Sequence, residues 1–126
     1  MKTIFLKLGF VVSLLLMISC SDDNDDKGNR LLTVTEKNSL IFMLEEEKLA
    51  RDTYRYLDNL WGLTEFENIK ISEQAHMDAV AQQLDIYNVA YTILPEGQFN
   101  NVDLQNLYNQ FTTYFLINTL RYHAIM

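Results

Sequence analysis

Cysteine, proline and glycine are scarce in this 126-residue sequence, which holds one, one and four of them. A single cysteine excludes an internal disulfide framework. So few backbone breakers exclude a turn-rich sandwich or barrel and suit long, uninterrupted helices. Basic residues are few as well: 10 Lys and Arg stand against 17 Asp and Glu, for a net charge of −7. Neutralising phosphates needs a concentrated cationic surface, so nucleic acid is excluded as a partner and a cationic ligand is the better electrostatic match. No phosphate loop, nucleophile elbow or thiol pair is present. What is present is apolar: 48% hydrophobic and 12% aromatic residues, enough for a folded core rather than a disordered chain.

The N-terminus reads as an address. Lys2 and Lys7 precede the apolar run LGFVVSLLLMIS at 8–19, which is too short to span a bilayer comfortably and has the shape of a secretory signal peptide over 1–19. The lone cysteine, Cys20, closes MISC and so resembles the lipobox of bacterial lipoproteins, which implies lipidation at Cys20. The acidic string SDDNDD at 21–26 resembles the export tag of surface lipoproteins, and residues 20–32 read as an acidic tether. The expected location is the cell envelope, with a lipid anchor in the outer membrane and exposure at the surface. The remaining residues, 33–126, suffice for one small domain.

Within that domain Thr33 and Glu36 have capping-box spacing, and a helical pattern runs from there to Gly62, a common C-terminal stop. Its stripe is Leu40, Met43, Glu47, Ala50, Tyr54, Leu57 and Trp61. Thr64 and Glu67 predict a second capping box, opening a helix to about Tyr87 with the stripe Phe66, Ile69, Glu73, His76, Val80, Leu84 and Tyr87. A connection of two or three residues makes these two helices an antiparallel hairpin. Residues 88–102 hold the only proline and read as a crossover loop. From Asp103 the pattern Leu104, Leu107, Phe111, Phe115, then Leu116, Leu120 and Ala124 predicts a third helix, broken near Thr112–Tyr114. The fold class is all-α, an antiparallel bundle of about three helices.

Polar residues on apolar stripes carry the chemistry. A buried carboxylate is costly unless it is paired, hydrogen-bonded, neutralised or bound to a metal, so Glu47, Glu73 and His76 need a reason to face inward. Glu73-x-x-His76 places a carboxylate and an imidazole on one helix face, an arrangement that helical-bundle di-iron sites combine with glutamates from facing helices. Oxygen ligands with one imidazole suit iron, or manganese, better than a thiolate-rich zinc site. Taken alone, Glu45 to Glu47 reads as a solvated face, with Lys48 and Arg51 pairing locally. The conjunction of Glu47 with E-x-x-H on the antiparallel partner favours metal.

The segments EEEKLARDTY, WG, F-NI, SEQAHMDAV and the later G-F-N and LQ-LY resemble the bacterial ferritin-like family called domain of unknown function 2202, related to rubrerythrins. The resemblance covers about residues 41–126. It implies an incomplete ferritin-like bundle in which Glu47 is a terminal ligand, Glu73 a bridging carboxylate and His76 a terminal imidazole, with Tyr54 beside them. It also implies iron handling, or oxygen or peroxide redox chemistry, at a di-iron centre.

The family continues with a third-helix glutamate and a fourth-helix E-x-x-H, and this sequence reaches Met126 about where that glutamate is expected. A truncated frame is one reading, and a homodimer in which each chain supplies Glu47, Glu73 and His76 to one complete site is the other. YNV at 87–89 departs from the family, which often has glycine after that tyrosine. The alternative from a different class is a non-catalytic helical surface module, or an inactive fragment without metal.

Overall fold

The structure, a computed structural model, describes residues 31–123. The expected signal peptide 1–19, the lipidation site Cys20, the tether up to residue 30 and Ala124 lie outside the described residues. Within them the chain is all-α as expected, and comprises α1 (Val34–Trp61), α2 (Thr64–Ile86) and α3 (Val102–His123). Among these three, none is long and apolar enough to cross a membrane.

The ends of the helices follow from local chemistry. At the start of α1 the Glu36 amide donates to the Thr33 hydroxyl at 3.2 Å, and the Thr33 amide donates back to the Glu36 carboxylate at 2.8 Å. The capping box therefore forms as expected. Gly62 ends α1 in the left-handed conformation, φ 59° and ψ 35°, and its amide donates to the Asp58 carbonyl at 2.7 Å. Only Gly62 and Leu63 separate α1 from α2, so α2 folds straight back along α1.

The second capping box does not form. Leu63 occupies the N-cap position, at φ −89° and ψ 131°, and no side chain caps the helix. With so short a link, Leu63 is the last extended residue and Thr64 is already inside the helix. The amides of Phe66 and Glu67 turn instead to the Leu63 carbonyl, at 2.9 and 3.2 Å.

At the other end of α2, Asn88 takes φ 51°. Its amide donates to the Asp85 carbonyl at 3.0 Å and that of Val89 to Leu84 at 2.8 Å, the paired bonds of a Schellman stop. Val89 packs with Leu84 in one buried cluster, which completes the motif. Asparagine is the residue besides glycine that enters this conformation readily, so YNV serves where glycine would.

The third helix is not broken. Thr112, where a break is expected, donates its hydroxyl to the Tyr108 carbonyl at 3.0 Å, so the helix ladder absorbs it. The Asn101 side chain caps the start by accepting from the amides of Asp103 and Leu104 at 2.9 and 3.2 Å.

α1 is the central element, packed against both α2 and α3, while the backbones of α2 and α3 do not approach each other closely. The α1–α2 seam is filled by Leu44, Met77 and Leu84, with Leu40, Ile41 and Val80 around them. Leu49, Phe99 and Leu104, with Tyr108, fill the other seam. Each such side chain contributes on the order of 1.5–3 kcal/mol by leaving water. The expected stripes overreach at their ends, since Trp61, Tyr87, Leu107, Leu116 and Leu120 are exposed.

The glycines give a graded test. A Cβ at Gly62 meets nothing within 4 Å, so Gly62→Ala should cost only the left-handed backbone strain, about 1–2 kcal/mol. At Gly97, φ 74°, the Cβ would also lie 2.9 Å from the Tyr108 ring, so Gly97→Ala should lower the urea midpoint further than Gly62→Ala. Equal losses would show that the Tyr108 contact yields freely.

Candidate metal centre

The hairpin brings Glu47 of α1 against Glu73 and His76 of α2. His76 Nδ1 lies 2.9 Å from Glu73 Oε2 and 3.4 Å from Glu47 Oε2. One ligand atom from each residue falls within 4.8 Å of the other two. The two carboxylates are buried, with side chains 9% and 6% exposed, while His76 is 48% exposed. His76 therefore does not lie on the inward stripe where the spacing places it. Glu73, Met77 and Leu84 mark the face of α2 turned to α1, and His76 flanks it at the rim.

Burial is the main cause that pushes the Glu47 carboxyl up to about 7, followed by its hydrogen bond to Glu73 and the charge there, with His76 opposing. At about 7, the Glu47 carboxyl is only partly ionised near neutral pH. Burial and the Glu73 charge also push the Tyr54 phenol up, which places Tyr54 in the electrostatic reach of the pair. Its ring packs on Phe66 at 6.1 Å, and Phe66 packs on Trp61 at 5.7 Å.

The donor set fits a hard or borderline cation. Two carboxylates and one imidazole converge, without a thiolate, which is chemistry for iron or manganese. Among the described residues neither carboxylate has a lysine or arginine ion-pair partner, so a cation could take the place of the proton on Glu47. Replacement would relieve the like-charge contact between the two glutamates.

The same decapeptide builds a second buried cluster, which corrects the reading of Glu45 to Glu47 with Lys48 and Arg51 as a solvated face. Glu45, Lys48, Arg51 and Asp52 are all buried against the loop that follows α2. Lys48 Nζ pairs with Asp52 and donates to the carbonyls of Pro95 and Gln98 at 2.9 and 3.0 Å. It also lies 4.3 Å from the centre of the Phe99 ring. Glu45 accepts the amides of Asn100 and Asn101 at 2.7 and 2.8 Å. Asp52 accepts the Gly97 amide at 2.9 Å on one oxygen and two Arg51 N–H groups, at 2.9 and 2.7 Å, on the other. The available signal was the spacing of Glu45, Lys48 and Asp52, three and four apart, on a stripe distinct from that of Glu47.

The family model described as "Uncharacterized protein domain (DUF2202)" matches residues 36–121. An uncharacterized protein of Methanocaldococcus jannaschii is 48% identical over 77 residues, which are 60% of this chain and 42% of that relative. This chain therefore spans less than half of the length of the relative it matches. No solved structure matches.

The raised Glu47 carboxyl has a signed consequence for stability. Between its ordinary value of 4.5 and about 7 the folded state binds more protons than the unfolded state, so stability falls as pH rises through that window. In EDTA-treated protein, Glu47→Gln should flatten the decline in urea midpoint between pH 5 and 7. An unchanged pH slope would mean that Glu47 is ionised throughout.

Proposed function

We propose that this chain, which belongs to the DUF2202 domain family, is a metal-binding helical protein that takes iron, or manganese, through Glu47, Glu73 and His76. The convergence of their ligand atoms within 4.8 Å carries this reading. In it the domain is ferritin-like and related to rubrerythrins, and works in iron handling or in oxygen or peroxide chemistry. It sits in the cell envelope, anchored through a lipidated Cys20.

Each residue then has a task. Glu47, whose carboxyl burial pushes up to about 7, would hold the cation as a carboxylate, its proton released to solvent. Glu73 has two oxygens to offer and would bridge to a second ion. His76 turns Nδ1 toward the carboxylates from a half-exposed rim, so it would close the set from the solvent side. Tyr54, its ring packed on Phe66, lies within electrostatic reach of Glu73. Iron, when bound there, supplies one-electron redox chemistry toward oxygen or peroxide.

Three ligands from one hairpin leave coordination positions to fill. A second copy of the chain related by a twofold axis would supply the same three residues and complete a di-metal centre.

The second reading is a helical packing module without metal or catalysis. It is favoured by the way in which the three side chains satisfy one another, Glu47 on Glu73 and Glu73 on His76. Elemental analysis and equilibrium sedimentation with and without ferrous iron separate the two. The metal reading expects bound iron, loss of that iron in the double variant Glu73→Gln, His76→Leu, and dimers that need iron. A monomer that takes up none, and whose double variant is as stable or more stable, supports the packing module.

A further inference from the structure

Arg51 stands where two buried systems meet. It lies one helical turn beyond Glu47 on α1, and two of its N–H groups end on Asp52 of the loop-holding cluster. Its Nη1 reaches the other way, to the side-chain oxygen of Gln74 on α2 at 2.8 Å. Gln74 is the immediate neighbour of Glu73, and its own amide nitrogen is held by Asp78 at 2.8 Å. Asp52, the hub of the cluster, is fully buried and has both oxygens occupied, one by Lys48 and the Gly97 amide, the other by Arg51. A continuous chain of polar contacts thus runs from the backbone of the loop at Gly97, through Asp52, Arg51 and Gln74, to the turn of α2 that carries Glu73.

The alternative means of holding that turn are non-directional. Leu44, Met77 and Leu84 resist separation of α1 from α2, but apolar burial is proportional to area and tolerates small slides and rotations. A guanidinium has a rigid fork of donors, and a fork with one side on Asp52 and the other on Gln74 fixes the register of the two helices. It does so at the level where Glu47 and Glu73 meet, and an ångström there decides whether three donors share one cation.

We propose that Arg51 and Gln74 are positioning residues for the Glu47–Glu73–His76 site, and that docking of loop 95–101 on α1 sets the geometry of that site through Asp52. The inference rests on the metal reading above and adds to it a control point outside the ligands. Gln74 is the place to test it, because its replacement leaves the Arg51–Asp52 contacts in place.

The experiment uses the full chain in detergent micelles with Co(II) alone as probe, read by titration and by the ligand-field absorption bands. Hydrogen exchange of the Gly97, Asn100 and Asn101 amides is followed in the same proteins. For Gln74→Leu the expected result is Co(II) binding weaker by about 10–100-fold, the range for outer-shell partners of metal ligands. The bands should shift, the loop amides should exchange faster although Gln74 does not touch them, and Gln74→Glu should restore all three. A Gln74→Leu protein with unchanged Co(II) affinity, bands and loop exchange overturns the positioning role while the metal reading stands. Wild-type protein that takes up no Co(II) overturns both.

Discussion

Asp52 is a carboxylate with no access to water, placed in the middle of a helix whose own backbone is already fully bonded. Such a group is tolerable only when donors from elsewhere reach it, and four do: Lys48, two arms of Arg51 and the amide of Gly97. Three of the four come from the same helix. The fourth can come only from a loop 45 residues further along, in the unusual backbone conformation that Gly97 provides. The path of the chain after α2 is thereby dictated, and α3 starts where that loop leaves it.

Once the loop is fixed, the rest of the packing follows. Phe99 is delivered to Leu49 and Leu104, and Tyr108 is drawn over Gly97. α1 becomes a helix covered on several sides in turn, by α2, the loop and α3. This is why its middle section, Leu44 to Thr53, is largely buried although seven of its ten residues are charged or polar. The carboxylate pair and the ion cluster divide that section between them, one facing α2 and the other facing the loop. Arg51 belongs to both sides.

Much of this was legible in the sequence, and what was not has a physical reason. The hairpin, the first capping box and the Gly62 stop are local events decided within a few residues, and they stand as expected. So does the meeting of Glu47 with Glu73, because two short-linked helices have little freedom of register. Helical periodicity assigns one inward face to a helix, so it fails for α1, which has several. Glu45 and Lys48 therefore read as solvent-facing when their partners include backbone groups of a loop about 50 residues away. His76 reads as inward because a step of three residues covers only part of a helix face, and Met77 takes the position between α1 and α2. The expected break in α3 overlooked that threonine hydroxyls can bond back into their own helix.

The ion cluster beneath the loop has its own balance. Glu45 and Asp52 are negative and Lys48 and Arg51 positive, so the four buried charges cancel and the excess of −7 is carried by the rest of the chain. Long-range repulsion among the many exterior carboxylates consequently has no net charge to act on inside the lock. Salt screens exposed pairs such as Arg55–Glu96 strongly and buried ones weakly. The loop is thus held by contacts largely indifferent to the ionic strength around the protein, while the exterior remains free to attract cations.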